Sequence, residues 1–203
     1  MTYKEYGYTA GGSAGAVSAI TEKYDDVLNT WTAKATLNTA RNGLAGFSLN
    51  GYGYAAGGNT GAVSAITEKY DDVLNTWTAK ATLNTARDYL AGFSLNGYGY
   101  TAGGYAVDVS AITEKYDDVL NTWTAKANLN TARYYLAGFS LNGYGYTAGG
   151  YAVAVSAITE KYDDVLNTWT AKANLNTARQ ALAGFSLGNL QQCPQLVTEL
   201  AFL

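Results

Sequence analysis

The stretch Tyr52–Leu95, YGYAAGGNTGAVSAITEKYDDVLNTWTAKATLNTARDYLAGFSL, decides the fold because it recurs along the chain. Four copies follow one another almost letter for letter, and the tryptophans at 31, 77, 123 and 169 mark a constant step of 46 residues. The Gly-Gly pairs and the arginines keep the same step. A fixed period of this length predicts a repeat architecture in which each copy is one structural unit.

One unit is predicted to be a meander of four antiparallel strands. Leu90–Leu95 is a short apolar run, and the Asn96-Gly97 that follows it is a strong signal for a two-residue hairpin turn. Tyr98–Ala102 is the second strand, which a Gly-Gly pair ends. Val109–Tyr116, rich in residues that favour β-structure, is the third strand, and Thr122–Ala127 is the fourth.

A single meander cannot bury both of its faces, so the copies must stack on one another. Sheets stacked side by side in a ring form a β-propeller, which is therefore the expected all-β fold. Helical repeats of the armadillo type have a similar period. They are excluded because Gly, Thr, Asn and Tyr dominate the unit and no apolar stripe of helical period is sustained.

The unit resembles the kelch repeat. It has a Gly-Gly pair closing the second strand, a Tyr-Asp, six residues between that Tyr and a Trp, and Ala-Arg before an apolar strand. Tyr24 and Trp31 show this spacing, and every unit repeats it across residues 6–187. One departure is that the Pro that often follows Tyr-Asp in kelch units is an Asp here, as at Asp26. The resemblance implies a kelch-like β-propeller with one altered turn.

The expected domain spans residues 1–187 and has four four-stranded blades, with a non-repeat tail at 188–203. The first unit begins at strand two, and a spare strand one is predicted at residues 182–187. In one arrangement this strand joins the first sheet and closes a ring of four blades. In the other, two chains exchange it around a twofold axis to form one eight-bladed ring. The tail is interpreted either as a docking segment or as a frayed terminus.

Composition narrows the classes of function. The chain has 203 residues and is 48% hydrophobic, as expected for one ordered domain. The charges within each unit cancel and there is no basic stripe, so nucleic acid is not an expected partner. No apolar run has the length of a membrane span and no signal-peptide core is recognisable. Membrane insertion is therefore not expected, and the compartment is left open.

The residue types argue against catalysis. The sequence has no histidine and one cysteine, Cys193, so the commonest general base and metal ligand is missing and no intramolecular disulfide is expected. Some kelch-like propellers are oxidases whose copper is held by His and Tyr, and that site cannot be built here. Asp25-Asp26 and its copies are interpreted as turn formers, and the Trp of each unit as a core residue. We expect no enzyme activity, no metal and no cofactor.

The copies differ from one another mainly in two places. One follows the Gly-Gly pair and the other follows the Arg, and in an up-and-down meander both lie at the same end of the blade. Loops carry function on such scaffolds, and Tyr offers contact area at low entropic cost. We therefore predict a ligand-binding face with these candidate residues: Arg41, Asn42, Arg87, Asp88, Tyr89, Tyr105, Asp108, Arg133, Tyr134, Tyr135, Tyr151 and Arg179.

Two functions fit this pattern. The first is a non-enzymatic module that binds a protein or a glycan through the tyrosine-rich face. The alternative is a structural protein that assembles with itself, as a homodimer or a larger species, and whose loops differ by drift. The arginines have two interpretations as well: they clamp an anion at the channel mouth, or they pair with an acidic residue of the neighbouring blade, which we favour.

Overall fold

The computed structural model describes residues 5–187, and every regular element in that range is a β-strand. No helix among these residues is long and apolar enough to cross a membrane. The tail predicted at 188–203 lies outside the described residues. The strands are β1 (Gly7–Ala10), β2 (Thr21–Asp25), β3 (Thr30–Lys34), β4 (Ala45–Leu49), β5 (Tyr52–Ala56), β6 (Thr67–Asp71), β7 (Thr76–Lys80), β8 (Ala91–Leu95), β9 (Tyr98–Ala102), β10 (Thr113–Asp117), β11 (Thr122–Lys126), β12 (Ala137–Leu141), β13 (Tyr144–Ala148), β14 (Thr159–Asp163) and β15 (Thr168–Lys172).

These strands form four antiparallel sheets, which we call blades 1 to 4. Blade 1 contains β1–β3, blade 2 contains β4–β7, blade 3 contains β8–β11 and blade 4 contains β12–β15. Within each blade every strand pairs with the next along the chain, so the predicted meander is confirmed. The first strands of blades 2, 3 and 4 lie side by side and form the inner edge of the stack.

Tight backbone geometry shapes both the hairpins and the inner edge. Asn96 and Gly97 have φ values of 51° and 80°, as the type I′ turn predicted from the Asn-Gly pair requires. Gly92 lies so close to the preceding inner strand that a Cβ there would stand 2.6 Å from the carbonyl oxygen of Gly46. Only glycine allows the inner strands to approach one another this closely.

Aromatic side chains join successive blades. The ring of Phe47 in blade 2 meets the indole of Trp123 in blade 3 edge-on, with ring centroids 6.3 Å apart. Phe93 and Trp169 repeat this contact between blades 3 and 4. Such pairs contribute about 0.5–1.5 kcal/mol beyond the area they bury. The predicted core role of the tryptophans therefore fits Trp123 and Trp169 in blades 3 and 4. Trp77 in blade 2 is half-buried, and Trp31 in blade 1 is 53% exposed.

The third strand of each unit begins later than the sequence indicated. It was predicted over Val109–Tyr116, and the structure has Thr113–Asp117. The residues before it belong to a loop, because the amide of Ser110 donates to the carbonyl of Gly104 at 2.8 Å. The hydroxyl of Ser110 then accepts from the amide of Ile112 at 3.1 Å. These local hydrogen bonds outweigh the β propensity of the valine and isoleucine.

Blade 1 differs from the prediction of four four-stranded blades because it has three strands. Residues 182–187, predicted to complete it, form no strand and lie instead beside β12 at the inner edge of blade 4. There the hydroxyl of Ser186 donates to the carbonyl of Ser140. The four blades thus form an open arc within residues 5–187, and the predicted closures, within one chain or between two chains, remain predictions.

Candidate functional site

The two variable clusters lie on one end of the blades, which we call the loop face. In blade 3 the amide of Asp88 donates to the carbonyl of Tyr105 at 2.9 Å, and the amide of Tyr105 donates back at 2.8 Å. Tyr134 and Tyr151 form the same reciprocal pair in blade 4. The segment leading into each inner strand is therefore held against the loop between the second and third strands of the same blade.

Five tyrosines on this face form one continuous cluster, which we call the tyrosine cluster. Tyr89 and Tyr135 have ring centroids 4.1 Å apart, although they belong to neighbouring blades. Tyr135 and Tyr134 are 4.9 Å apart. Tyr134 also contacts Tyr105 at 5.7 Å and Tyr151 at 5.5 Å. All five tyrosines predicted from the sequence are thus brought together.

A strained backbone ladder supports the cluster. Gly43, Tyr89, Tyr135 and Ala181 occupy equivalent positions and all have φ values between 51° and 59°. The amide of Tyr89 donates to the carbonyl of Gly43 at 2.6 Å, and the amide of Tyr135 donates to the carbonyl of Tyr89 at 2.9 Å. A bulky residue in this left-handed region costs about 1–3 kcal/mol and is usually found where the strain serves a function.

Polar residues directly precede the ladder positions in the chain, Asn42 before Gly43 and Asp88 before Tyr89. Asp88 is buried, and its Oδ2 accepts from Nδ2 of Asn59 at 2.8 Å. Its Oδ1 and the Oδ1 of Asn42 are buried and have no hydrogen-bond donor among the described residues. The pKa of Tyr135 is raised to about 12 by burial first and then by the neighbouring Tyr89 hydroxyl and the charge of Asp88. The site therefore combines aromatic surface with unsatisfied acceptors.

Three of the four arginines that were predicted for the ligand-binding face are not exposed there. Arg41, Arg87 and Arg133 are completely buried between blades. Nη2 of Arg87 lies 2.9 Å from Oε1 of Glu114, and Nη1 donates to the carbonyl of Ile112 at 2.8 Å. The alternative interpretation from the sequence, pairing with an acid of the next blade, is the one that the structure has. Arg179 is exposed.

Each buried glutamate sits in a socket built by the preceding blade. The carboxylate of Glu114 accepts from the backbone amides of Asn84 at 2.7 Å and Thr85 at 3.4 Å, and from Arg87. We call these two amides and the guanidinium the carboxylate socket. The equivalent two amides and arginine hold Glu160, and the amide of Asn38 and the guanidinium of Arg41 hold Glu68. The sequence did not identify the socket because the pairs lie 27 residues apart.

The two aspartates of each Asp-Asp pair have different roles. Oδ1 of Asp117 accepts from the amides of Val119 and Leu120 at 2.9 and 3.0 Å, so the first aspartate forms the turn as predicted. Asp118 instead binds the ammonium groups of two lysines of the preceding blade, Lys69 at 3.0 Å and Lys80 at 3.5 Å. The second aspartate of each pair therefore joins blades electrostatically.

Asp108, a further residue predicted for the ligand-binding face, is exposed. Its Oδ1 accepts from the amide of Val109 at 2.7 Å, so Asp108 shapes its own loop.

Serines along the inner edge form a ladder of hydrogen bonds. The hydroxyl of Ser94 donates to the carbonyl of Ser48, and the hydroxyl of Ser140 donates to the carbonyl of Ser94. The sequence analysis missed this serine ladder, although the identical Gly-Phe-Ser in every unit was a signal for it.

Comparison with known proteins supports the fold. No protein-family model matches the sequence, and no curated protein does. A solved structure described as "Structure of YjhT" superposes with a TM-score of 0.69 at 14% sequence identity. The match covers 83% of this chain and 65% of that one, so this chain spans less than two thirds of its length. Together with the antiparallel four-stranded sheets, this likeness shows a β-propeller-like fold.

Proposed function

We propose that this chain is a kelch-type, non-enzymatic binding module that recognises a protein or a glycan through its loop face. The observation that carries the proposal is the tyrosine cluster, which gathers five rings from two blades on the face where the copies differ. The kelch-like spacing of the sequence and the propeller-like fold both support it, since propellers often serve as binding scaffolds.

The chemistry of the cluster suits recognition. Tyrosine supplies a large amphipathic contact surface and loses little conformational entropy when it binds. The rings of Tyr89 and Tyr135 are already fixed by their mutual contact at 4.1 Å and by the backbone ladder. A ligand therefore does not have to order them, which lowers the cost of association.

The tyrosine hydroxyls add specificity, because each can donate and accept a hydrogen bond. A sugar hydroxyl or a backbone amide can pair with them. The strained φ of Tyr89, 51°, is a further sign that the position is kept for binding rather than for stability.

Binding assays with defined probes test the proposal. The chain is screened against a printed array of oligosaccharides and against a phage-displayed peptide library. The test variant is Tyr89→Ala, Tyr134→Ala and Tyr135→Ala combined. It is expected to fold because Ala181 already occupies the equivalent left-handed position, and circular dichroism checks this.

A matched triple variant controls for general damage. Val73→Ala, Val119→Ala and Val165→Ala change three highly exposed residues in the turns at the opposite end of the blades. We expect a probe that binds the wild type and this control but loses at least about tenfold in affinity for the tyrosine variant. Equal binding by both variants, or no binding of either probe by the wild type, would overturn the proposal.

A further inference from the structure

The two end faces of the arc present complementary halves of the contact that joins every pair of blades. On blade 4, Asn176, Thr177 and Arg179 line a surface cleft. They occupy the positions that Asn84, Thr85 and Arg87 occupy in the carboxylate socket. On blade 1, Glu22 occupies the position of Glu114 and is exposed. Thus one end carries a socket with no carboxylate from the described residues in it, and the other carries an exposed carboxylate.

The charged residues beside the socket and beside Glu22 are complementary as well. Each internal boundary joins two lysines of one blade to the second aspartate of the next, as Lys69 and Lys80 join Asp118. On the blade 4 end the equivalent lysines are Lys161 and Lys172. They have no aspartate partner within residues 5–187. On the blade 1 end the equivalent acid, Asp26, is exposed. The blade 4 end therefore carries two lysines and the blade 1 end an aspartate, at the repeat positions that form ion pairs at the internal boundaries.

The apolar parts of the two ends match as well. The inner Phe of one blade packs on the Trp of the next, as Phe47 packs on Trp123. If blade 1 of a second copy followed blade 4 in the same way, its Trp31 would pack on Phe139. Trp31 is 53% exposed, whereas Trp123 is 7% exposed. The unpaired side of β1 in blade 1 similarly matches residues 182–187, whose Phe185 is 74% exposed.

We infer that these end faces bind each other between two copies of this chain, with Glu22 of one copy entering the Arg179 socket of the other. The two ends of a single copy do not meet, since both Glu22 and Arg179 are exposed in the arc. Two copies joined at both ends make a ring of eight blades, within the range of roughly four to eight seen in propellers. This assembly is independent of the ligand proposed for the loop face.

Charge reversal tests the contact directly. Native mass spectrometry and light scattering are expected to give the wild type twice the chain mass of 21.5 kDa. Arg179→Glu alone brings two carboxylates together at each junction, and Glu22→Arg alone brings two guanidinium groups together. Each variant should therefore remain at 21.5 kDa. Both substituted residues are exposed in a single copy, so the blades should still fold.

Mixing the two single variants tests whether positions 22 and 179 of two copies contact each other. In a mixed pair, the glutamate introduced at position 179 of one copy faces the arginine introduced at position 22 of the other. At the second junction the native Arg179 faces the native Glu22. Both junctions are then complementary, and the doubled mass should return. Asp108→Arg reverses a charge on the loop face, away from both ends, and should leave the wild-type mass unchanged.

A substitution without charge gives an independent check. A Cβ on Gly46 meets no atom closer than 3.9 Å in one copy, whereas on Gly92 it would stand 2.6 Å from the carbonyl of the preceding inner strand. In the joined ring, Gly46 would face Gly184 of the second copy in the same way. Gly46→Ala should therefore fold normally and lower the fraction of doubled mass at least about tenfold.

Three outcomes would overturn the inference. The first is a wild type that stays at 21.5 kDa at every concentration, which indicates closure within one chain or no closure. The second is a doubled mass that survives Arg179→Glu, which places the contact elsewhere. The third is a mixture of the two single variants that fails to recover the doubled mass, although each variant is folded.

Discussion

Arg87 and Glu114 form an ion pair across the boundary between blades 2 and 3, with Nη2 2.9 Å from Oε1 and both side chains at most 1% exposed. Burial lowers the pKa of Arg87, and the charge of Glu114 counteracts this effect. Two desolvated charges are tolerated here because the socket amides donate to the carboxylate and a backbone carbonyl accepts from the guanidinium. Nε of Arg87 has no acceptor among the described residues. The same pair recurs at every internal blade boundary of the described residues.

Removing one partner of this pair should be strongly destabilising. We expect Arg87→Met to lower the free energy of unfolding by about 3–5 kcal/mol, because it leaves the carboxylate of Glu114 buried without its counter-charge. Arg179→Met changes the same repeat position at the exposed end and should cost less than about 0.5 kcal/mol. Urea unfolding of both variants at the same low protein concentration measures the difference. Similar losses for both would show that burial of the pair does not matter.

The inner edge gives a second matched comparison. A Cβ on Gly92 would lie 2.6 Å from the carbonyl oxygen of Gly46, and backbone atoms on both sides cannot move away easily. Gly92→Ala is therefore expected to lower the free energy of unfolding by about 1–3 kcal/mol. Gly46→Ala, which meets nothing closer than 3.9 Å in one copy, should be within about 0.5 kcal/mol of the wild type when both are measured at a protein concentration low enough to keep the chain as a single copy. Equal midpoints in thermal unfolding would contradict this reasoning.

Local sequence was sufficient for the order of the strands within a unit and for the hairpin turns, but not for the start of the third strand at Thr113 or for residues 182–187, which form no strand. The Asn96-Gly97 pair has the positive φ values that its turn type demands, and the meander follows from four short runs separated by turn residues. The period of 46 residues then implies that every unit repeats this structure. The variable clusters could be placed on one face because strand connectivity alone decides which loops share an end.

The remaining features depend on the packing between blades, which no local pattern encodes. The carboxylate socket joins Arg87 to Glu114 across 27 residues, and the sequence offered several acids as its partner. The number of blades in a ring depends on the angle between neighbours, which arises from contacts such as Phe47 on Trp123. The left-handed backbone of Tyr89 was not predicted, because tyrosine rarely adopts it. Gly43, at the equivalent position of the preceding unit, was the sequence signal for it.

The strained backbone of Tyr89 allows a test of whether this residue serves stability or binding. Tyr89→Gly should relieve about 1 kcal/mol of strain, and it should lose about 0.5–1.5 kcal/mol of contact with the ring of Tyr135. The two effects nearly cancel, so the free energy of unfolding should change by less than about 1 kcal/mol, as urea unfolding would measure. Gly43 is the native precedent at the same position. A loss above about 2 kcal/mol would show that Tyr89 is held for stability rather than for binding.

Alkaline pH should reveal the buried tyrosines of the core. Tyr116 is fully buried, and its hydroxyl donates to Oδ1 of Asn121 at 2.9 Å. Its pKa is raised from 10.0 to about 12, by burial first and then by the charges of Asp118 and Asp117. Between these pH values the unfolded chain has released this proton and the folded chain has kept it. The folded state therefore loses stability as the pH rises through this window.

Tyr116→Phe removes this titrating group and keeps all the other tyrosines in both chains. The substitution also affects Tyr54, since the charge of Tyr116 is among the causes that raise the pKa of Tyr54. At neutral pH the variant should be less stable by about 1 kcal/mol, since it lacks the hydrogen bond to Asn121. As the pH rises from 10.0 towards about 12, the wild type alone is weakened by ionisation at this position, so the deficit of the variant should shrink. Urea unfolding of both chains at a series of pH values measures it. A deficit that stays constant across this range would mean that Tyr116 ionises as readily in the folded chain as in the unfolded one.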